Sequence, residues 1–180
     1  MPEKVLDLFD QMKCKPDAVI VTVFFNACSK LVNDQTKKRA KEVLDRLPKG
    51  FLKNTISMNS AIDMLMRFGD VNGAEDLFET ISKPDVMTYG AMINGYKINH
   101  EAKKCLSLFQ RIEKDKIVFS APLCVSLIGV CAQIGLVSTC HRVTNRIPSN
   151  FYKNLTVASC LIDMWVRNIL PGRLLESIRI

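Results

Sequence analysis

The chain has 180 residues, of which 48% are hydrophobic, 24% charged and only 7% aromatic. This composition is sufficient for a buried core, and it excludes both an intrinsically disordered chain and an aromatic-rich β-sandwich. The formal net charge of +7 and the isoelectric point near 9.1 favour an anionic partner, although a well-solvated basic surface explains the charge equally well.

The amino-terminal residues and the cysteines restrict where the chain works. Residues 1–10 form an amphipathic pattern with three acidic side chains, which is unlike a secretory or transit peptide, so no targeting segment is expected in this chain. The densest apolar stretch, over 19–25, is too short to cross a bilayer. Seven cysteines without a Cys-x-x-Cys pair favour a reducing compartment over a disulfide framework or a zinc cluster.

The most informative feature of the sequence is internal repetition. Two segments open with Lys-Pro-Asp and continue into an apolar helix, namely KPDAVIVTVFFNACSK and KPDVMTYGAMINGYK. Asp17 and Asp85 are the predicted N-caps of these helices, because an aspartate carboxylate accepts the unpaired N–H groups of a first turn. Two further helices share a second pattern, NSAIDM over 59–64 and SCLIDM over 159–164.

The repetition predicts a single domain of helical hairpins over 1–180. Residues 1–17 form the second helix of a truncated repeat, and the units that follow are 18–54, 55–85, 86–120, 121–154 and an incomplete one over 155–180. Each complete unit contains two helices, separated by a break near Asn33, Gly69, Asn99 or Gly135. In the second helices a small residue precedes a larger apolar one by four positions, as in Ala74 and Phe78, which lets neighbouring helices approach. Pro171 is the predicted first turn of a final helix.

Three segments carry a resemblance to a known family: VMTYGAMINGYK over 86–97, GDVNGAEDLFETISKPD over 69–85 and PEKVLDLFDQMKCKPD over 2–17. They resemble the pentatricopeptide repeat (PPR) family. Unit lengths of 37, 31, 35 and 34 residues resemble the subclass with alternating long, short and standard repeats, and CVSLIGVCAQIG over 124–135 resembles the long type. The tetratricopeptide repeat has a similar period, but its Trp-x-x-Leu-Gly signature is absent from this sequence.

The resemblance implies an all-α fold, a right-handed α-solenoid of about five stacked hairpins that belongs to a longer array, with the first repeat preceded by a stray second helix. Its first helices line a groove that binds single-stranded RNA, one base per repeat. In the family, the fifth residue of the first helix and the last residue of the repeat meet the base edge. These positions are Thr22 with Asn54, Asn59 with Asp85, Gly90 with Ser120, Val125 with Asn154, and Ser159 alone.

The pair of Asn59 and Asp85 implies a preference for uracil. An ionised aspartate only accepts hydrogen bonds, so the pair favours the N3–H of uracil over the bare N3 of cytosine. Asp85 is equally well explained as a helix N-cap. Asn59 has no such explanation, because an amide within a helix has no advantage in helix propensity.

Two further sets of residues have roles that the resemblance implies. The second residues of the first helices stack between successive bases, and they are Val19, Ile56, Met87, Pro122 and Thr156. Periodicity alone favours instead ordinary core residues of a first turn. Phosphate contacts are assigned to the cations near the ends of the first helices, Lys30, Arg67, Lys97 and Arg167. The favourable interaction of cations with a helix C-terminus explains them equally well.

No catalytic residue, metal site or cofactor is expected. His100 and His141 are the only histidines, and neither lies beside a cysteine pair or in a His-x-Glu pattern. The resemblance implies a non-enzymatic protein for processing or editing of organellar transcripts, in the mitochondrion or alternatively the plastid. Single-stranded RNA and other RNA-processing proteins are the expected partners, and neither a membrane nor a small-molecule substrate is expected.

The alternative function is that of a protein-binding helical scaffold. A scaffold groove carries apolar or charged anchors at the repeat-equivalent positions, whereas a reader of RNA carries small polar groups there. Thr22, Asn59 and Ser159 favour the reader, while Gly90 and Val125 provide little or no discrimination between bases. The sequence therefore favours RNA binding and leaves the scaffold as the second hypothesis.

Overall fold

The computed structural model describes residues 2–48, 54–135 and 137–177, with side chains as far as residue 168. These residues are helical with no β-strand, which confirms the all-α prediction. The α-helices are α1 (Pro2–Gln11), α2 (Ala18–Cys28), α3 (Asp34–Arg46), α4 (Thr55–Arg67), α5 (Val71–Glu79), α6 (Val86–Ile98), α7 (Ala102–Lys114), α8 (Ala121–Ile134), α9 (Val137–Arg146) and α10 (Leu155–Ser177). A 3-10 helix spans Ser149–Lys153. None of the described helices combines the length and the apolar character required to cross a lipid bilayer.

We call α2, α4, α6, α8 and α10 the first helices and the others the second helices. Asp17 Oδ1 accepts the N–H of Ile20 at 2.8 Å, and Asp85 Oδ1 accepts the N–H of Thr88 at 2.8 Å, so both predicted N-caps are confirmed. The first helices begin at residues 18, 55, 86, 121 and 155, which are the first residues of the predicted units.

The turns between the helices of a hairpin use residues that leave helical geometry easily. Gly69 and Gly135 adopt φ of +78° and +71°, in the left-handed region where a Cβ would be strained. At the end of α6, the Asn99 amide donates to the carbonyls of Met66 and Gly95, both at 2.8 Å. These bonds tie the end of α6 to the end of α4.

The chain divides into two compact units, Met1–Asn99 and His100–Ile180. In the first unit α4 packs between α2 and α6, while α1 and α3 pack against α2, and α5 packs against α4 and α6. Gly95 lets α6 approach α4 closely, since a Cβ built on it would lie 2.2 Å from Met66 Cγ. The core consists of fully buried side chains, among them Phe24, Phe25, Ile62, Met66 and Ile93.

In the second unit α8 packs against α7, α9 and α10, and the 3-10 helix packs against α10. Arg146 pairs with Glu113 at 3.0 Å and joins α9 to α7. The sequence is wrong about the carboxyl-terminal part, because α10 runs unbroken through Pro171, where a new helix is predicted to start. A proline removes one backbone donor, but the helix can continue on both sides of it, so placing Pro171 in a first turn predicts one break too many.

The small residues of the second helices are buried, as the four-residue pattern predicts. Ala40, Ala74 and Cys105 are almost completely inaccessible, and Phe78 and Phe109 are buried beside them on the same helices. Burial raises the pKa of the Cys105 thiol to about 12, so this thiol stays neutral near pH 7 and serves as a small core residue. All seven cysteines are free.

Candidate nucleic-acid interface

The second residues of the first helices lie on the surface. Val19, Ile56 and Met87 are 69%, 68% and 64% exposed, although most other apolar residues of the same helices are buried. Pro122 and Thr156 hold the same position in α8 and α10 and are also exposed. The interpretation of these residues as core is therefore wrong. The first helices instead present side chains, most of them apolar, to solvent at equivalent positions.

The fifth residues lie one turn further along the same helix face, since residues three apart on a helix are neighbours. Thr22, Asn59, Gly90 and Val125 are half-buried, and Ser159 is exposed. Each fifth residue therefore has accessible surface beside an exposed second residue. The side chain at this position is polar in three of the five helices.

A buried serine contacts two of the predicted reading residues. Ser57 Oγ lies 3.0 Å from Thr22 Oγ1, and the Ser57 N–H donates to Asn54 Oδ1 at 3.3 Å. Thr22 Oγ1 also donates to the Ala18 carbonyl at 2.7 Å. Ser57 therefore links the fifth residue of α2 to the cap of α4, so the predicted pair of Thr22 and Asn54 shares one neighbour.

Asn59 and Asp85 form a direct pair. Burial acts to raise the pKa of Asp85, but hydrogen bonds from the Thr88 N–H and hydroxyl, the Asn59 amide and the Met87 N–H outweigh burial and lower this pKa below 3.8. Asp85 is consequently an anion near pH 7 and can only accept hydrogen bonds. Asn59 Oδ1 is buried and accepts no hydrogen bond within the described part of the chain. A buried acceptor without a donor is unfavourable, so the described residues leave this amide oxygen unsatisfied.

The last residues of the units cap the next first helix, and capping determines what they can offer a ligand. Asn54 Oδ1 accepts two first-turn N–H groups at 3.0 and 3.3 Å, and Asn154 Oδ1 accepts two at 3.1 and 3.2 Å. Both amide oxygens are therefore occupied, and the amide NH₂ groups remain as donors. The ionised Asp85 carboxylate has no hydrogen to donate. It therefore offers a ligand only acceptors, whereas the two asparagine amides offer donors.

Two reading positions lack a polar side chain. Nothing in the described residues lies within 4 Å of a Cβ built on Gly90, so the surface beside Met87 is open. Val125 is half-buried and apolar. Neither side chain can form a hydrogen bond to a base, which leaves only the last residue of each unit to do so. Ser120 Oγ caps α8 by accepting the Leu123 N–H at 3.4 Å.

Two of the four predicted phosphate-binding cations are already paired. Arg67 Nε bonds Asp63 at 2.9 Å, and Arg167 Nε bonds Asp163 at 2.8 Å, each across four residues of a first helix. An ion pair reduces the positive charge available to a phosphate, so these arginines are weaker phosphate sites than their charge alone implies. The other two cations are lysines, the exposed Lys30 and the half-buried Lys97.

Sequence reasoning missed several residues of this surface. Ser57 and Thr88 are the third residues of α4 and α6, and their hydroxyls are buried against reading residues. A polar third residue is the available signal, because the other first helices carry apolar residues there, namely Ile20, Leu123 and Val157. The partners of the arginines could have been found too, since an aspartate four residues before an arginine pairs with it on a helix.

Comparisons with known proteins agree with this repeated structure. The family model for the PPR repeat matches residues 56–83 and 87–117, and each match lies within one predicted unit. A pentatricopeptide repeat-containing protein of Arabidopsis thaliana is 27% identical over 183 residues, which covers 98% of this chain and 25% of that protein. Another from the same plant is 25% identical over 178 residues, with coverage of 96% and 32%. A third, whose name specifies mitochondrial, is 26% identical over 132 residues, with coverage of 71% and 18%.

The chain therefore spans a third or less of the length of these curated relatives. Relatives that align with nearly the whole chain share its repeated character, two repeats match the family model, and the fold is a series of helical hairpins. From these observations together we conclude that residues 56–83 and 87–117 are pentatricopeptide repeats and that the chain as a whole is similar to pentatricopeptide repeat-containing proteins, which confirms the resemblance to that family.

Proposed function

We propose that this chain binds single-stranded RNA with one nucleotide at each repeat. The observation that carries the proposal is the exposure of Val19, Ile56 and Met87 at equivalent helix positions. An exposed apolar side chain adds little to the core, but it can pack against the face of an unstacked base. The net charge of +7 supplies a general attraction for the phosphate backbone.

Base selectivity follows from the polarity of the capping residues. Asp85 only accepts, so the site of Asn59 and Asp85 favours a base that donates at its pairing edge, as uracil does through N3–H. Asn54 presents a donor, so its site with Thr22 favours a base with an acceptor there, such as adenine N1 or cytosine N3. The Val125 side chain cannot form a hydrogen bond to a base, so the site that it forms with Asn154 has a weaker base preference.

The setting that fits these properties is the processing or editing of organellar transcripts. One relative has a name that specifies the mitochondrion, which supports that organelle, with the plastid as the alternative. Catalysis has no part in the proposal, and a subclass with alternating long, short and standard repeats fits the unit lengths. Other RNA-processing proteins are the further partners.

The test of the proposal is a set of RNA oligonucleotides that differ at a single base. The parent chain is expected to prefer uracil at the position read by Asn59. Asn59→Ser shortens the amide to a hydroxyl and should reduce that preference about threefold to tenfold, which corresponds to one hydrogen bond. The dependence of affinity on salt should remain unchanged, because no phosphate contact is lost.

Gly90→Ala is the matched control for Asn59→Ser, because it changes a fifth residue that has no hydrogen-bonding group and meets no steric obstacle. It should leave the uracil preference at the Asn59 site intact. A parent chain that binds no RNA at low salt, or an Asn59→Ser variant that weakens binding equally for all four bases, would favour the protein-binding scaffold instead.

The ion pair on α4 gives a second, independent prediction about RNA binding. Asp63→Asn should increase the affinity for single-stranded RNA roughly twofold to fivefold at low salt, because it frees the Arg67 guanidinium from its half-buried partner. The slope of log affinity against log salt should steepen by up to about 0.7 for one additional phosphate neutralised. Titration of one oligonucleotide across a salt series measures both quantities.

Glu42→Gln provides the matched control for Asp63→Asn. Glu42 is exposed on α3, a second helix, and its replacement changes the net charge by the same amount. We expect a smaller gain in affinity and no change in slope. Equal effects of the two substitutions would mean that net charge, rather than Arg67, accounts for the change.

A further inference from the structure

Thr88 holds the carboxylate of Asp85 in one orientation. The Thr88 side chain is completely buried, and its hydroxyl donates to Asp85 Oδ1 at 2.8 Å. The Thr88 N–H donates to the same oxygen at 2.8 Å, and the Asp85 N–H donates back to Thr88 Oγ1 at 3.3 Å. Three hydrogen bonds thus connect the two residues, and both that reach the carboxylate end on Oδ1.

This arrangement makes the two carboxylate oxygens of Asp85 unequal. Oδ1 receives two strong hydrogen bonds from Thr88, while Oδ2 receives neither of them. With Oδ1 held at the helix terminus by Thr88, Oδ2 is the carboxylate oxygen that neither of these two bonds occupies. Without the hydroxyl, Oδ1 would lose one of its two hydrogen bonds from Thr88, and the carboxylate would lose part of the restraint on its rotation.

We propose that Thr88 is a positioning residue that sets the base selectivity of the Asn59 and Asp85 site without touching the base. The inference rests on the proposed function, because it requires a base at this site. It adds that the selectivity of one repeat depends on the third residue of the following helix. A donor base such as uracil then gains a fixed acceptor, which does not have to be ordered when the base binds.

The other first helices show that this contact is not a general requirement of helix capping. Asp17 caps α2 through the N–H of Ile20, whose side chain carries no hydroxyl. Asn154 likewise caps α10 through the N–H of Val157 among others. Because apolar third residues suffice to start these helices, the Thr88 hydroxyl is available for a role at the reading site.

The experiment compares Thr88→Val, which keeps the shape but removes the hydroxyl, with Thr88→Ser, which keeps the hydroxyl. In the absence of RNA, a carboxyl NMR titration should show that Thr88→Val raises the pKa of Asp85 from its lowered value, because one bond to the ionised form is lost, and that Thr88→Ser does not. In RNA titrations, Thr88→Val should lose between about threefold and tenfold of the uracil preference, and Thr88→Ser should retain most of it.

Thr36→Val controls for the loss of a buried threonine hydroxyl. Thr36 is also the third residue of a helix, is almost fully buried, and donates its N–H to the Asn33 cap at 2.8 Å, but it belongs to α3 and not to the site. It should leave both the pKa of Asp85 and the uracil preference unchanged. If the parent chain prefers uracil and Thr88→Val keeps that preference, the positioning role of Thr88 is overturned while the proposed RNA binding stands. A parent chain that binds no RNA would overturn the proposed function and the selectivity role with it.

Discussion

Gly95→Ala is expected to lower the free energy of unfolding by about 1 to 3 kcal/mol, the usual range for overpacking a well-packed core. A Cβ at this position would lie 2.2 Å from Met66 Cγ and 2.7 Å from Met66 Cβ, and Met66 is itself completely buried. The methionine cannot swing away without disturbing its neighbours, and its Cβ is fixed by the backbone of α4. Denaturation by urea, with the midpoint and slope determined for both proteins, measures the change.

Gly90→Ala should have the opposite sign, although the two glycines lie on the same helix. No described atom lies within 4 Å of a Cβ at Gly90, so only the helix propensity changes, and the substitution should stabilise the chain by roughly 0.5 to 1 kcal/mol. If both variants were stabilised, α6 and α4 would not approach each other as closely as the structure shows.

Helix starts and the all-helical fold could be predicted because their signals are local. The Lys-Pro-Asp segments place Asp17 and Asp85 directly before apolar helices, and the capping bonds span only three residues. Gly69 likewise predicts its turn, because the turn requires a positive φ that glycine adopts without strain. Such features depend on a few neighbouring residues, so the local amino-acid sequence is sufficient to predict them.

The exposure of the second residues could not be predicted in the same way. Ile56 stands in the first turn of an apolar helix, and periodicity treats it as a core residue. Which side of α4 is covered depends on where α2 and α6 pack, and these helices are remote in the sequence. The contact between Ser57 and Thr22 could not be predicted for the same reason, because it joins residues 35 positions apart.

The two explanations of Asp85, a helix cap and a base-reading residue, do not exclude each other. The sequence offers a helix cap and a base-reading residue as alternatives, but both bonds from Thr88 end on Oδ1, so they do not involve the second carboxylate oxygen. For Asn54 the cap of α4 uses the amide oxygen and does not involve the amide NH₂ group. A capping residue can therefore also meet a base. Whether it donates or accepts a hydrogen bond there depends on the side-chain atom that the cap does not use.

Replacing Val19, Ile56 and Met87 together by alanine is expected to weaken RNA binding roughly tenfold or more while leaving the stability of the fold almost unchanged. Each side chain is mostly exposed in the free chain, so its truncation should change the free energy of unfolding by no more than about 0.5 kcal/mol. On the bases, each truncation removes apolar contact worth about 0.5 kcal/mol or more, and about 1.4 kcal/mol corresponds to a tenfold change in Kd.

The control for this variant removes exposed apolar surface elsewhere, with Leu8, Val32 and Val118 replaced together by alanine. All three are exposed, and none is a second or fifth residue of a first helix. Affinities for one oligonucleotide and thermal melting curves should be measured for both variants beside the parent. The control should bind RNA like the parent, because its lost surface contacts no base. Retention of parental affinity by the Val19, Ile56 and Met87 variant would show that these side chains face some other ligand, since a base that stacks on them cannot be indifferent to their removal.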